Sequence, residues 1–133
     1  MRTRLTWIVG LGLAANGVIM LAAPAAWYAA VPGVPATGPF NAHFVRDIGA
    51  AYLVAGMALA AFACDRAARP AALAGAAFLA LHALVHLWEA TAGREAAPLF
   101  DVLLVFVPAV LAIWIAWPRS RYEQTNQIGE QRC

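Results

Sequence analysis

An all-α bundle of four membrane-spanning helices is the fold this sequence predicts, and three observations predict it. Of the 133 residues, 63% are hydrophobic and only 12% charged. That is about half the charge of an average soluble chain, too little polar surface to cover a water-soluble domain. The apolar residues gather into four runs, each close to the ~20 helical residues that cross a hydrocarbon core about 30 Å thick. Prolines and arginines fall at the ends of those runs and in the segments between and beyond them, with Pro108 and Arg46, inside spans, as the exceptions.

The first run, residues 5–23, follows Arg2 and Arg4 and stops at Pro24. Its basic start and the small residues at 21–26 also fit a cleaved secretory signal, which would leave three spans in the same orientation. The run is longer than the usual apolar region of about 7–15 residues, so it is read as a retained span. The connection over residues 24–43 holds Pro24, Pro32, Pro35 and Pro39 and is not helical throughout; Trp27, Tyr28, Phe40 and Phe44 suit the headgroup level. The second span is residues 44–63. A short link, 65–70, forces the third span, 71–90, to run antiparallel, with Pro70 favouring its first turn. Another short link, 91–98, leads to the fourth span, 99–117, opened by Pro98 and closed by Pro118. Pro108 removes one backbone hydrogen bond from that helix and is expected to kink it. Residues 1–118 thus form one membrane domain, and 119–133 a polar tail with no apolar period, expected to be disordered.

Orientation follows from arginine placement, because cytoplasmic flanks collect positive charge. Arg2, Arg4, Arg66, Arg69, Arg119, Arg121 and Arg132 fall on one side, whereas Arg94 alone lies in a loop on the other, so both termini are expected in the cytoplasm. Lysine is absent and alanine fills about a quarter of the chain, a composition that fits GC-rich coding and a bacterial inner membrane. The net charge of +2 argues against a nucleic-acid partner. Cys64 and Cys133 belong to no C-x-x-C or lipidation pattern, and no structural disulfide is expected. The expected partners are the lipid bilayer, a lipid-soluble small molecule, and a larger membrane complex or further copies of the chain.

Polar residues inside the spans carry the functional information, since an ionisable group at membrane depth costs about 2.5–3.5 kcal/mol on insertion scales. Arg46, Asp47, Glu89 and Asp101 are the charged ones, joined by His43, His82 and His86, and all seven fall in the half of the bundle away from the termini. His82, His86 and Glu89 follow one another at helical spacing and form one stripe; His43, Arg46 and Asp47 form another. The two stripes are expected to face each other, with Arg46 paired to Glu89 and the Asn16 amide reaching in from below. Gly10, Gly12 and Gly17 on the first span, and Gly49, Gly56, Ala50, Ala60 and Ala63 on the second, would permit the close approach. Arg46, Asp47, His82, His86, Glu89 and Asn16 are therefore the candidate ligand-binding residues.

Three chemistries compete for them. His82 and His86, with Glu89 and His43, form a candidate metal set, and the paired histidines also fit haem; the sequence lacks the H-E-x-x-H order or a cysteine pair and requires no cofactor. Glu89, His86 and His82 are the candidate catalytic residues for proton transfer on a lipid-soluble substrate such as an isoprenoid, sterol or quinone, with Arg46 holding an anionic oxygen. The third reading is a purely structural polar network that fixes helix register. Binding a small ligand, or serving as an accessory subunit, is the function expected first. A transporter would need a polar path to both faces, and the other half of the bundle supplies almost none.

The run His43-Phe44-Val45-Arg46-Asp47-Ile48-Gly49, followed by Tyr52 and Gly56, resembles the small four-helix bacterial membrane proteins grouped as DoxX-like. Arg46, Gly49, Tyr52 and Gly56 carry the resemblance, together with chain length, four spans and a long first outer loop. It implies the four-helix architecture and an accessory role beside quinone or thiosulfate redox chemistry. The His82, His86 and Glu89 stripe is not part of it, and no catalytic residue is transferred.

Overall fold

The computed structural model describes residues 2–94 and 97–118, all of whose regular structure is helical. Helix α1 spans Arg2–Ala22, α2 Pro24–Ala30, α3 Ala42–Cys64 and α4 Arg69–Thr91. The last span, Pro98–Ala116, is continuous but not uniform: α5 (Pro98–Asp101) leads into a π-helical turn (Val102–Phe106) and then α6 (Val107–Ala116). Four helices are thus long and apolar enough to cross a membrane. Large apolar residues such as Ile8, Leu11, Val54, Leu81, Trp88 and Val110 point outward, as a bilayer solvent requires.

The observed ends explain themselves locally. Asn41 Oδ1 accepts from the backbone N–H of His43 at 3.0 Å and of Phe44 at 3.2 Å, so α3 begins two residues ahead of the expected span. Asp65 accepts from the Ala67 N–H at 2.8 Å and shapes the 3₁₀ turn Arg66–Ala68 between α3 and α4. In the first connection, the Tyr28 hydroxyl donates to the carbonyl oxygen of Gly38 at 2.5 Å, and its ring meets Phe40. This folds the proline-rich segment back onto α2.

Helix α1 packs along α3, α3 along α4, and α4 along the last span, with α1 touching α6 to close the group. The α1–α3 contact is backbone to backbone. A Cβ on Gly17 would stand 2.5 Å from the Gly49 carbonyl oxygen, and one on Gly56 would stand 2.5 Å from that of Gly10. The expected small-residue seam is therefore present at Gly10, Gly17, Gly49 and Gly56. Gly12 and Ala50 are the corrections: Gly12 is exposed and faces open space, off the stripe that Gly10 and Gly17 share, and Ala50 is exposed beside the buried Gly49.

Around this seam Met20, Leu59, Phe62, Leu79 and Ile115 form a fully enclosed core. At the end of the bundle where the described chain starts and stops, the Arg2 guanidinium donates to the carbonyls of Trp114 and Ile115 and lies 4.5 Å over the Trp114 ring. The expected polar tail, with Arg119, Arg121, Arg132 and Cys133, lies outside the described residues.

Candidate functional site

Phe78, His82 and His86 occupy successive turns of α4, spaced to share one face. Across from them, α3 contributes Tyr52, whose buried ring meets Phe78 edge-on at 5.4 Å between centroids and His82 edge-on at 5.6 Å. The ring of His82 stacks on Phe78 at 6.0 Å and meets the ring of His86 at 4.9 Å. His86 Nδ1 then lies 3.0 Å from Asp101 Oδ2 on the last span. Two aromatic rings, two imidazoles and a carboxylate thus form one continuous line where α3, α4 and the last span meet.

Burial gives this line its chemistry. The His86 and Asp101 side chains are 27% and 20% exposed, against 87% and 61% for the other carboxylate–imidazole pair, His43 and Asp47. In a low-dielectric setting the inner pair is the stronger hydrogen bond. An ionised Asp101 only accepts, so it places the proton of a neutral His86 on Nδ1 and leaves Nε2 as an acceptor. An imidazole and a carboxylate held together inside an apolar bundle suit a ligand that donates a hydrogen bond or a proton.

The geometry of the last span puts Asp101 there. Pro108 has no N–H to give the Leu104 carbonyl, and its ring would crowd that oxygen in a regular α-helix. The chain responds one turn earlier with the π-helical segment Val102–Phe106, in which the Val107 N–H donates to the carbonyl of Val102. Such a turn holds an additional residue and re-aims everything before it. Where a kink is expected at Pro108, the structure shows this π-helical turn.

The expected convergence of the two polar stripes does not occur. Helix α3 buries the face holding Val45, Gly49, Tyr52 and Gly56, so His43, Arg46 and Asp47 fall on its exposed side. His43 Nε2 lies 3.3 Å from Asp47 Oδ2, and Arg46 Nε donates to the Leu21 carbonyl at 3.2 Å. The expected Arg46–Glu89 pair is replaced on its other side as well, for Glu89 Oε1 lies 3.8 Å from Arg94 Nε. Asn16 is occupied elsewhere: its Oδ1 accepts from Trp27 Nε1 at 2.9 Å and its Nδ2 lies 3.5 Å from Met20 Sδ. That bond ties α2 to α1 and keeps the amide out of the polar line.

Of the six candidate binding residues, only His82 and His86 lie in the line. The candidate metal set of His82, His86, Glu89 and His43 is likewise dispersed. Among the described residues no three of His, Cys, Asp or Glu are grouped so that they could hold a metal ion. Asp101, Tyr52 and Phe78 were not selected from sequence as site residues. The available signal was Asp101 itself, a carboxylate inside an apolar span that needed a partner. No protein-family model, curated protein or solved structure matches the chain.

Proposed function

We propose that this chain is a multi-pass membrane protein that binds a small, lipid-soluble, hydrogen-bond-donating molecule at the His82–His86–Asp101 line. The observation that carries the reading is the 3.0 Å contact between His86 Nδ1 and Asp101 Oδ2, partly buried between two apolar helices. An ionisable pair in that setting is costly to insert, and a ligand role accounts for why its side chains stay partly exposed rather than sealed. Tyr52 and Phe78 close the inner end of the line with packed apolar rings.

The same pair supports a second reading as an enzyme, in which His86 accepts a proton from the bound molecule while Asp101 steadies the imidazolium that forms. Glu89 has no part in it, since its carboxylate is engaged with Arg94 away from the line. The proposal also places the chain in a bacterial inner membrane with both termini cytoplasmic, as an accessory subunit of DoxX-like type. Arginine distribution supports the placement, and Arg46, Gly49, Tyr52 and Gly56 support the type.

Mass spectrometry of molecules extracted from gently purified protein tests the binding role. The native chain is expected to retain a stoichiometric lipid-soluble compound that Asp101→Asn and His86→Leu both lose. Equal retention by all three proteins, or by none, overturns it.

A further inference from the structure

A second polar cluster lies at the opposite end of the bundle, remote from the histidine line. Arg66 and Arg69 stack on the same ring: their guanidinium carbons lie 4.5 and 5.7 Å from the centroid of Phe62. Phe62 is itself fully buried, so it forms a rigid floor that holds two cations side by side. Arg69 also opens α4, where Ala68 at the N-cap offers no side-chain acceptor, so the positive end of a long helix dipole adds to the two guanidinium charges.

Guanidinium groups donate through planar forks that match phosphate oxygens. The surroundings decide the source of that phosphate, for exposed Leu73 follows one turn along α4 and continues into the outward apolar surface at Leu81. A phosphate on Arg66 and Arg69 would therefore have acyl-chain surface directly beneath it. We propose that this end of the bundle binds the headgroup phosphate of an anionic phospholipid between Arg66 and Arg69, with the acyl chains along α4.

The full-length chain, held in maltoside micelles doped with either dioleoylphosphatidylglycerol or dioleoylphosphatidylcholine, tests this by native mass spectrometry. Phosphatidylglycerol is expected to stay bound in preference to phosphatidylcholine. Arg69→Gln is expected to weaken its retention about fivefold, as one lost arginine contact at a membrane surface implies. Arg4→Gln, at the same end but exposed, should change it less than Arg69→Gln does. Arg69→Lys keeps the charge and removes the planar fork, so it should fall between native and Arg69→Gln; should Arg69→Gln fail to fold, Arg66→Gln carries the same expectation. Equal retention of the two lipids, or retention indifferent to both Arg69→Gln and Arg66→Gln, overturns the proposal. Displacement of phosphatidylglycerol by inorganic phosphate at matched ionic strength would also overturn it, by identifying a free-anion site.

Discussion

Asp101 holds His86 across a gap of fifteen residues in sequence, at 3.0 Å, from the last position before the fourth span widens into a π-helical turn. The contact joins a helix that is regular throughout to one that is not. Asp101→Asn should therefore have two separable effects. The His86 ring loses the carboxylate that fixes its tautomer, which ¹⁵N spectra of histidine-labelled protein in micelles will read as a loss of the Nδ1–H form. The melting free energy in detergent should fall by only about 1–2 kcal/mol, the scale of an interhelical polar contact in a membrane protein. An unchanged histidine spectrum would sink the assignment.

Pro108→Ala addresses the same contact from a distance. Alanine restores the N–H that the Leu104 carbonyl lacks, which allows the Val102–Phe106 segment to tighten into ordinary α-helix. Removing one residue from a turn rotates the preceding helix by about 100°, enough to swing Asp101 away from α4. The expected result is the Asp101→Asn histidine spectrum with Asp101 still in the sequence, and with thermal stability equal to or above that of the native chain.

Glu89→Gln is expected to do little. Its carboxylate contacts Arg94 at 3.8 Å with both side chains well exposed, and exposed ion pairs contribute at most about 1 kcal/mol. Melting in detergent and ligand retention should both stay at native values. A loss of ligand in this variant would return Glu89 to the site.

Gly56→Leu should separate α1 from α3. The native contact leaves no room for even a Cβ at this position, where the Ala14 backbone and the Gly10 carbonyl stand closest. Overpacking of this kind costs about 1–3 kcal/mol, read as a lowered melting temperature in detergent, whereas Gly12→Leu, which enters open space, should leave the melt unchanged.

Cys64 gives the orientation a direct test. It ends α3 and is exposed, on the side assigned to the cytoplasm. A thiol reagent that cannot cross membranes should label it only after the cells are permeabilised. Labelling in intact cells would invert the assignment.

The spans were legible because composition and length decide them: an apolar run of about 20 residues has few other uses. The glycine seam was legible too, since Gly10 and Gly17, like Gly49 and Gly56, recur every seven residues and only a close helix contact rewards that spacing. Side-chain partners were not. Spacing places His43, Arg46 and Asp47 on one stripe, but hydropathy does not say which way a helix is rotated in lipid. Here the glycines turned that stripe outward. Asp101 was obscured for a related reason, because a one-residue π insertion shifts the angular position of every residue before it. The sequence shows Pro108 but not how the backbone answers it.

The bonds from Arg2 to the carbonyls of Trp114 and Ile115 bear on how the molecule is made. A ribosome delivers the first turn of α1 long before the last turn of α6. The pairing of α1 with α3 needs only the first half of the chain, so it can form while the rest is still being threaded. Arg2 must then wait for the final span, whose closing carbonyls lack partners within their own helix. The contact that closes the bundle therefore belongs to the opening turn of its first span, and the four helices form a closed ring only once the fourth has been made.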